Sequence, residues 1–298
     1  MQQVRTVNAV SWRSTVGAYI NLMKPHVTVL LLGTTLAAMV VAQGSLPPVG
    51  LVLATLLGGA LAAGSANSIN CYWDRDIDQI MTRTRPRSLP SGKISDVNAL
   101  IFGLTLGVLS FVILARFVNM LSALLALAAI AFYVGVYTMW LKRTTPQNIV
   151  IGGAAGAVPV LVGWAAVTGT IALPSIWMFM IIFLWTPPHF WALSLLLKRD
   201  YERAAVPMLP VVSGERETHR QIILYTLLLI AASLVLFSTG VVGFLYLGTA
   251  LLLGAGLLVL AILLARQKSL RYARLLFWCS NYYLALLFAA MVVDRVVH

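Results

Sequence analysis

The segment GLVLATLLGGALAAGSANSINCYWDRDID, residues 50–78, places a long apolar stretch directly before a run of acidic residues. Its first 24 residues carry no charge, and about 17–25 apolar residues are enough for a helix that crosses a bilayer. Asn70, Asp74 and Asp78 follow at four-residue intervals, which places them on one face of a helix. Asp76 lies about 200° round from Asp74, at roughly 100° per residue. The segment predicts a membrane helix that ends in a row of oxygen-bearing side chains.

This row of side chains predicts a metal site. Membrane proteins rarely place carboxylates at the edge of the hydrocarbon without a functional reason. The alternative is a helix end with solvated charges, but Asp near a helix C-terminus opposes the helix dipole, so that alternative leaves the alignment unexplained. Two carboxylates and a neutral oxygen donor suit a hard cation such as Mg²⁺. Cations nearby suggest a polyphosphate held against the metal; those that follow at once are Arg75, Arg83, Arg85, Arg87 and Lys93.

The composition is that of a polytopic helical membrane protein. Charged residues are 10% of the chain and its mean hydropathy is +0.90, whereas a soluble domain carries about 25% charged residues. We predict an all-α bundle of nine transmembrane helices around a cavity that opens to the cytoplasmic side. It forms a single domain, 1–298, with a short cytoplasmic segment, 1–25. The nine apolar runs are 27–43, 50–73, 98–116, 119–140, 148–168, 174–196, 221–240, 242–265 and 276–294.

The distribution of charge predicts the topology. Of the 21 Lys and Arg residues, 19 fall in the segments that would be cytoplasmic if the N-terminus is inside. The two that fall outside are Arg116 and Arg295. The positive-inside rule therefore predicts a cytoplasmic N-terminus and a periplasmic C-terminus. Of the acidic residues, only Asp294 falls outside, which suggests that the chemistry is on the inner side. The net charge of +12 reflects topology and does not indicate nucleic-acid binding.

The N-terminal residues show neither a secretory signal nor a long Arg- and Ser-rich transit segment. This pattern favours a bacterial plasma (inner) membrane over an imported organelle protein. Two inner connections are long and rich in charge and proline: the first charged loop, about 74–97, and the second charged loop, about 197–220. Because ligand sites in helix bundles lie between facing helices, we expect these loops to face each other over the cavity.

Two further stretches could line that cavity. Lys142 and Arg143 end the fourth apolar run, either as positive-inside anchors or as donors to a phosphate. The glycines that follow, at 152, 153 and 156, indicate close helix packing, or they leave space in one wall of a cavity for a bulky ligand. In the sixth run, Pro187 and Pro188 should break the helix, which is tolerated where backbone lines a cavity. His189 beside them is either a core histidine or faces a ligand or metal.

The ordered motif resembles a known family. Asn70-x₃-Asp74-x₃-Asp78, followed by Arg83-Thr-Arg85-Pro86 and Pro90-Ser-Gly92, is similar to the first signature of the intramembrane aromatic prenyltransferase superfamily, the UbiA type. The resemblance covers nearly the whole chain, including the nine helices. It implies that this face binds Mg²⁺ and the diphosphate of an isoprenoid donor.

A narrower resemblance concerns the acceptor. Most family members carry a second Asp-rich motif after the sixth helix, and no Asp-x₃-Asp stands there in this chain. The stretches found instead resemble the branch that farnesylates haem B: Lys24-Pro25, Asn148-Ile-Val-Ile-Gly-Gly, Pro188-His-Phe-Trp-Ala-Leu193, Asp200-Tyr201 and Pro207-Met-Leu-Pro210. This implies transfer of farnesyl from farnesyl diphosphate to a vinyl group of haem B, with addition of water, giving haem O. Haem A synthase or a terminal oxidase would be a partner.

The resemblance and the residue chemistry together give candidate site residues. The predicted catalytic residues are Asn70, Asp74, Asp78, Arg83 and Lys142, and the metal ligands are Asp74, Asp78 and Asn70. Further diphosphate-binding cations are Arg85, Arg87, Arg143, Lys198 and Arg199. The predicted haem contacts are His189, Trp191 and His26, the last at a position where the family often has a basic residue. Aromatic rings that could stabilise a carbocation or form an interfacial belt are Tyr72, Trp73, Tyr137, Trp140 and Trp191.

Two other functions remain open at this point. One is a prenyltransferase of the same type that acts on an aromatic quinone precursor; the absent second Asp-rich motif argues against it. The other is a cation-coupled transporter. Transporter sites usually lie near the bilayer midplane, whereas the charges here lie at the inner boundary.

Overall fold

Long apolar helices make up the part of the chain that the structure describes. A computed structural model describes residues 12–297, with side-chain surroundings from residue 15; Arg5 and His298 lie outside this range. Within it, nine helices are long and apolar enough to cross a membrane, and no strand occurs, so the predicted all-α class is confirmed. These spans are α2 (Pro25–Gln43), α3 (Val49–Trp73), α5 (Asp96–Phe117), Met120–Thr144, α8 (Asn148–Thr168), α9 (Leu173–Leu196), α12 (Gly214–Ser238), α13 (Phe244–Gln267) and α14 (Leu270–Val297).

Shorter segments complete the described chain. The span Met120–Thr144 consists of α6 (Met120–Ala131), a π-helix (Phe132–Leu141) and α7 (Lys142–Thr144). The helix α1 (Trp12–Leu22) precedes the first span. Three short helices lie within the charged loops: α4 (Arg75–Ile80), α10 (Lys198–Arg203) and α11 (Leu209–Val212). Both charged loops lie at one end of the bundle, which we call the charged end.

The boundaries of the two charged loops follow from local capping. Ser95 caps α5, because its side chain accepts a hydrogen bond from the Asn98 amide at 3.3 Å. The first charged loop therefore ends at residue 95. The predicted start of the seventh span at 221 is wrong, since α12 begins at Gly214. Glu215 and Glu217 lie in its first turn, where negative charge is stabilised by the helix dipole; apolar composition alone cannot detect such a charged first turn.

The expected break in the sixth span is also wrong. The helix α9 continues from Leu173 to Leu196 through Pro187 and Pro188. A proline lacks the amide that would donate four residues back, so two carbonyls lose their partners while the helical path persists. Packing on both sides explains this, because Pro187 and Pro188 are buried between neighbouring helices. The cavity-lining backbone predicted at this point is therefore not formed.

Close helix contacts join the beginning and the end of the bundle. The helix α2 packs against α8 and α14, and α9 packs against α8, α12 and α14. A Cβ atom on Gly163 of α8 would collide with the backbone carbonyl of Thr35, so glycine permits the close approach of α2 and α8.

The end of α14 supplies two polar contacts at the opposite end of the bundle. Asp294 is 1% exposed and accepts hydrogen bonds from the amides of Gly243 and Tyr246, at the start of α13. Arg295 donates from Nε to the carbonyl of Val41 near the end of α2, at 3.3 Å. Each charge complements a helix dipole. The last helix is thereby fixed both to its sequence neighbour and to the first span.

Candidate functional site

Asn70, Asp74 and Asp78 stand in a buried stack at the charged end. The helix α3 ends at Trp73, and Asp74 (φ −87°, ψ 7°) joins it to α4. The Asp74 amide donates to the Asn70 carbonyl at 2.9 Å, and the Asp78 amide donates to the Asp74 carbonyl at 2.8 Å. One-turn spacing therefore survives the helix break. The exposed fractions are 3%, 1% and 2% in chain order, so the structure brings together the three side chains that the spacing predicts.

The Asn70 amide is oriented by three partners. Its Nδ2 donates to Asp74 Oδ2 at 2.7 Å and to Thr138 Oγ1 at 3.1 Å. Its Oδ1 accepts a hydrogen bond from Lys24 Nζ at 2.9 Å. The sequence analysis did not place Thr138 or Lys24 among the site residues. The signal available for Lys24 was a single cation directly before the proline that starts a membrane helix.

Each carboxylate of the stack already has a cationic partner. Lys142 Nζ forms an ion pair with Asp74 Oδ2. Arg87 NH1 lies 2.8 Å and 3.0 Å from the two oxygens of Asp78. Burial opposes the charge on Arg87, but the pairing with Asp78 outweighs it and the pKa of the guanidinium is raised. Two of the predicted cations, Lys142 and Arg87, therefore lie at the predicted metal ligands.

Asp76 and Arg143 lie outside the stack. The Asp76 side chain is 61% exposed and accepts two hydrogen bonds from Arg143, both at 2.8 Å. These bonds hold the pKa of Asp76 at about 2, so it is ionised at any physiological pH. Arg143 remains 3.7 Å from Asp74 Oδ1, at the rim of the cluster. The prediction that Asp76 points away from Asp74 and Asp78 is confirmed.

The other predicted cations are spread over the charged end. Arg83, Arg85 and Arg199 are exposed. Arg85 lines a pocket of about 570 Å³ together with Pro86 and Arg203. Lys198 lies 3.4 Å from Glu215 and 3.9 Å from Glu202. The structure does not bring these side chains to the carboxylates, and their binding to a diphosphate stays a prediction.

Asp200 joins the two charged loops. It is 7% exposed and accepts hydrogen bonds from Thr82 Oγ1 at 3.1 Å and from the Arg83 amide at 3.4 Å. Arg203 NH2 donates to the same carboxylate at 2.6 Å. The expected contact between the loops is therefore present. Through these hydrogen bonds, Asp200 connects the second charged loop to the first.

A π-helix places three further side chains at the stack. Tyr133 and Lys142 are nine residues apart, which is about two and a half turns of an α-helix, so an α-helix would point them in opposite directions. In a π-helix each amide bonds five residues back and the turn is longer. Tyr133, Thr138 and Lys142, at spacings of five and four, then share one face. Thr138 accepts a hydrogen bond from Asn70, and Lys142 forms an ion pair with Asp74, which agrees with this alignment.

The candidate aromatic residues lie in four different environments. Tyr137 packs beside Tyr133 near the carboxylates, with ring centroids 5.3 Å apart. Trp73 and Trp140 are 37% and 61% exposed, as expected of interfacial residues. The guanidinium of Arg75 covers the ring of Tyr72 at 4.6 Å. The fifth candidate, Trp191, is 1% exposed in the core.

The predicted haem contacts are on two helices, α2 and α9. The His189 ring is stacked between Trp185 and Phe277, with centroid distances of 4.3 Å and 4.7 Å, and its Nδ1 lies 2.7 Å from Ser280 Oγ. Trp191 packs edge-on against Tyr225 of α12. His26 is exposed at the start of α2. The haem-binding role of all three stays a prediction.

Comparison with known proteins gives the family. The profile of the UbiA prenyltransferase family matches residues 31–291, which is most of the chain. The chain belongs to the UbiA prenyltransferase family. It is accordingly an enzyme of the prenyltransferase class. A relative from Symbiobacterium thermophilum, named protoheme IX farnesyltransferase, is 53% identical over 278 residues and 93% of each chain. Another with that name, from Synechocystis sp., is 53% identical over 279 residues, 93% of this chain and 88% of the relative.

Solved structures agree with the UbiA fold. A digeranylgeranylglyceryl phosphate synthase aligns with a TM-score of 0.78 at 18% identity, over 95% of this chain and 99% of the other. A UbiA homologue from Aeropyrum pernix aligns with a TM-score of 0.73 at 17% identity, over 90% and 97%. One from Archaeoglobus fulgidus, bound to DMAPP and Mg²⁺, aligns with a TM-score of 0.63 at 14% identity, over 91% and 99%.

The oxygen atoms of the stack fit the divalent metal implied by the UbiA family. Asp74 Oδ1 is buried and accepts no hydrogen bond, so it has unused lone pairs. Within residues 12–297, no group of three or more His, Cys, Asp or Glu side chains could enclose a metal. Mg²⁺ is commonly held by one or two carboxylates, with substrate phosphates and waters as the remaining ligands. Asp74 and Asp78, with the Asn70 amide, suit that mode of binding.

Gly152 provides the space for Tyr137, and this yields a prediction. A Cβ atom on Gly152 would collide with the Tyr137 ring, whereas one on Gly156 would meet nothing within 4 Å. We expect Gly152→Ala to lower the free energy of unfolding by about 1–3 kcal/mol, the usual effect of overpacking, and to displace Tyr137 from the cluster. Thermal unfolding of purified protein in detergent measures the effect, with Gly156→Ala as the matched control. Equal melting temperatures for the two variants would contradict the packing argument.

Proposed function

We propose that this UbiA-family enzyme transfers the farnesyl group of farnesyl diphosphate to a vinyl group of haem B and adds water, giving haem O. The observation that carries the proposal is the buried cluster of two carboxylates and their cations at one end of an apolar bundle. Such a cluster can bind a metal and a diphosphate. The choice of haem as acceptor is supported by relatives at 53% identity that are named protoheme IX farnesyltransferase.

The proposed reaction begins with departure of the diphosphate. The allylic C–O bond breaks and its electron pair leaves with the diphosphate. When bound, Mg²⁺ would stabilise the negative charge on that leaving group. Lys142, Arg87 and Lys24 lie at the stack and would donate hydrogen bonds to the same oxygens. They can do so without reorganisation of solvent, because the cluster is shielded from water.

The second stage forms the carbon–carbon bond. The terminal carbon of the haem vinyl group attacks the farnesyl carbocation, and the positive charge moves to the carbon next to the macrocycle. Water adds there and releases a proton, so atoms and charge balance. The allylic cation must be protected from early capture by water. Tyr133 and Tyr137 pack beside each other on the π-helix that carries Thr138 to the stack, and their aromatic faces could stabilise a cation.

His189 is the proposed haem contact on the acceptor side. Ser280 Oγ lies 2.8 Å from the Phe277 carbonyl, which can only accept a hydrogen bond. The hydroxyl proton goes to that carbonyl, so His189 Nδ1–H donates to Ser280 Oγ. This tautomer leaves a lone pair on Nε2. Trp185 and Phe277 stack against the ring and fix its plane. We propose that the Nε2 lone pair is donated to haem iron.

We expect His189→Ala to weaken haem binding and to leave farnesyl diphosphate binding intact, because the diphosphate residues are on other helices. Ser280→Ala should weaken haem binding less, because it removes the hydrogen bond that selects the His189 tautomer but keeps the imidazole ring. Titration of purified protein in detergent, followed by Soret absorbance for haem and by calorimetry for the diphosphate, measures the two affinities separately. Unchanged haem affinity with a lowered melting temperature would assign His189 to the core and remove it from the site.

The proposed location is a bacterial inner membrane, with the N-terminus in the cytoplasm and the C-terminus in the periplasm. Ser95 and Ser213 are exposed at the ends of the two charged loops. We expect cysteines at both positions to react with an impermeant maleimide only from the cytoplasmic side. Cys71 is buried and can stay, whereas Cys279 is half-buried and is replaced by serine. Labelling of the two sites from opposite sides would contradict this topology.

The proposed function is tested by product analysis. Purified enzyme, farnesyl diphosphate, haem B and Mg²⁺ should give a haem whose mass is increased by one farnesyl group and one hydroxyl group. A quinone precursor such as 4-hydroxybenzoate replaces haem in a parallel reaction. Prenylation of the phenolic acid without change in haem would overturn the proposal in favour of a quinone-precursor enzyme. We further propose that the product passes to haem A synthase or a terminal oxidase.

A further inference from the structure

The carboxylates of the stack carry no surplus negative charge. Asp74 and Asp78 are 1% and 2% exposed, and their nearest cations are Lys142 and Arg87, respectively. Arg143, which pairs with Asp76, lies further away, 3.7 Å from the other oxygen of Asp74. The Lys142 side chain is 13% exposed and the Arg87 side chain 29%. These are internal pairs and not solvated surface contacts. The two pairs are electrically neutral together, and Lys24 adds an amine 2.9 Å from Asn70.

A divalent metal that enters alone therefore meets an unfavourable site. It must compete with Lys142 and Arg87 for the same carboxylate oxygens. If it displaces them, two cations are left buried without partners beside a new dication, and a buried unpaired charge is strongly destabilising. The single free oxygen, Asp74 Oδ1, would give only one ligand without such displacement.

A diphosphate meets the opposite situation. Its oxygens are strong acceptors for charge-assisted hydrogen bonds from Lys142 and Arg87. As these cations turn to the phosphate, oxygens of Asp74 and Asp78 become free. The anion thus removes the competitor of the metal and adds its own oxygens as ligands.

We propose that Lys142 and Arg87 make metal binding at Asp74 and Asp78 conditional on a diphosphate. The site is an anion site first, and it becomes a metal site when the anion has engaged the two cations. The inference rests on the proposed function in one respect, namely that the donor is a prenyl diphosphate. Because coupling between two ligands is reciprocal, the metal in turn retains the diphosphate until the cations regain their carboxylates.

The test uses full-length protein in detergent and two inorganic probes, each in the absence of the other. We expect pyrophosphate to bind the unaltered protein in EDTA. We expect Mn²⁺ alone to bind at least about tenfold more weakly to the unaltered protein than to Lys142→Met, in keeping with coupling of about 5–150-fold. Lys142→Met should also weaken pyrophosphate binding. Calorimetry measures both ligands, and electron paramagnetic resonance follows Mn²⁺ independently.

Two controls assign the effect to the stack. Lys268→Met removes an exposed lysine that directly follows α13 and is not among the predicted site residues, and it should bind Mn²⁺ as the unaltered protein does. Adding Asp74→Asn to Lys142→Met should abolish the gained Mn²⁺ binding. Either tight Mn²⁺ binding to the unaltered protein without an anion, or pyrophosphate binding that requires metal, would overturn the proposal. Both of these results are measured on the unaltered protein, so neither depends on whether a variant folds.

The outcome is separable from that of the proposed function. Both probes are inorganic, so an error in the acceptor leaves the binding results unaffected. Conversely, haem O could be formed by an enzyme that binds Mn²⁺ tightly in the absence of an anion. In that case the proposed function would stand and the conditional metal site would not.

Discussion

Replacement of Asp74 by alanine is expected to lower turnover by at least about 10²–10³-fold, the size of effect seen when one preorganised stabiliser of a developing negative charge is removed. Asp74 is the member of the stack that contacts Asn70, pairs with Lys142 and keeps a free oxygen. Its loss removes a proposed metal ligand and leaves Lys142 without its carboxylate partner. Formation of prenylated haem by membranes that contain equal amounts of variant protein measures the effect.

The matched control for Asp74→Ala is Asp76→Ala. Asp76 has the same chemistry and lies two residues away, but its side chain is 61% exposed and pairs with Arg143 at the rim. A surface pair of this kind contributes about 0–1 kcal/mol, so we expect activity to fall only slightly. Equal sensitivity of Asp76 and Asp74 would show that the stack is not the catalytic face. Thermal unfolding of both variants separates lost chemistry from lost structure.

Replacement of Arg87 by methionine is expected to lower the free energy of unfolding by about 3 kcal/mol. This is the lower end of the about 3–5 kcal/mol lost when a buried ion pair loses one member, because Arg87 keeps 29% exposure of its side chain. Asp78, at 2% exposure, would be left as a buried carboxylate without a cation. The melting temperature in detergent measures the loss.

A double replacement tests the cause of the Arg87→Met effect. Adding Asp78→Asn removes the uncompensated charge and should restore part of the lost stability, so the two effects are not additive. Arg85→Met is the surface control, because Arg85 is exposed and makes no ion pair with another residue of the described range. If the double variant is no more stable than Arg87→Met, the loss would have to come from packing of the Arg87 stem.

The sequence predicts the membrane architecture well because hydrophobic length and charge asymmetry are local properties. Every one of the nine expected spans is present, with ends shifted by a few residues in most cases. Two features of the spans were predicted wrongly, for different reasons. The first turns of α12 are charged and therefore do not register as apolar. The prolines of α9 are held in a helix by neighbours from distant parts of the chain, which no pattern within the segment reveals.

The site was predictable where it follows the α-helical period. Asn70, Asp74 and Asp78 share a face because their spacing matches the turn, and Asp76 is excluded by the same rule. The partners were not predictable in this way. Tyr133 and Thr138 reach the stack through a π-helix, and an α-helical wheel places Tyr133 opposite Lys142. Which of several arginines pairs with Asp78 depends on the path of a loop, and spacing does not encode that path.

The contacts of Asp294 and Arg295 have a consequence for the order in which the described spans assemble. Synthesis runs from the N-terminus, so α14 enters the membrane after the other eight of these spans. Because α14 is a direct neighbour of α2 and carries the side chains that hold the ends of α2 and α13, these spans cannot close into a bundle before α14 has been inserted. A nascent chain that has inserted only the first eight of them therefore still exposes to lipid the faces of α2 and α13 that α14 covers.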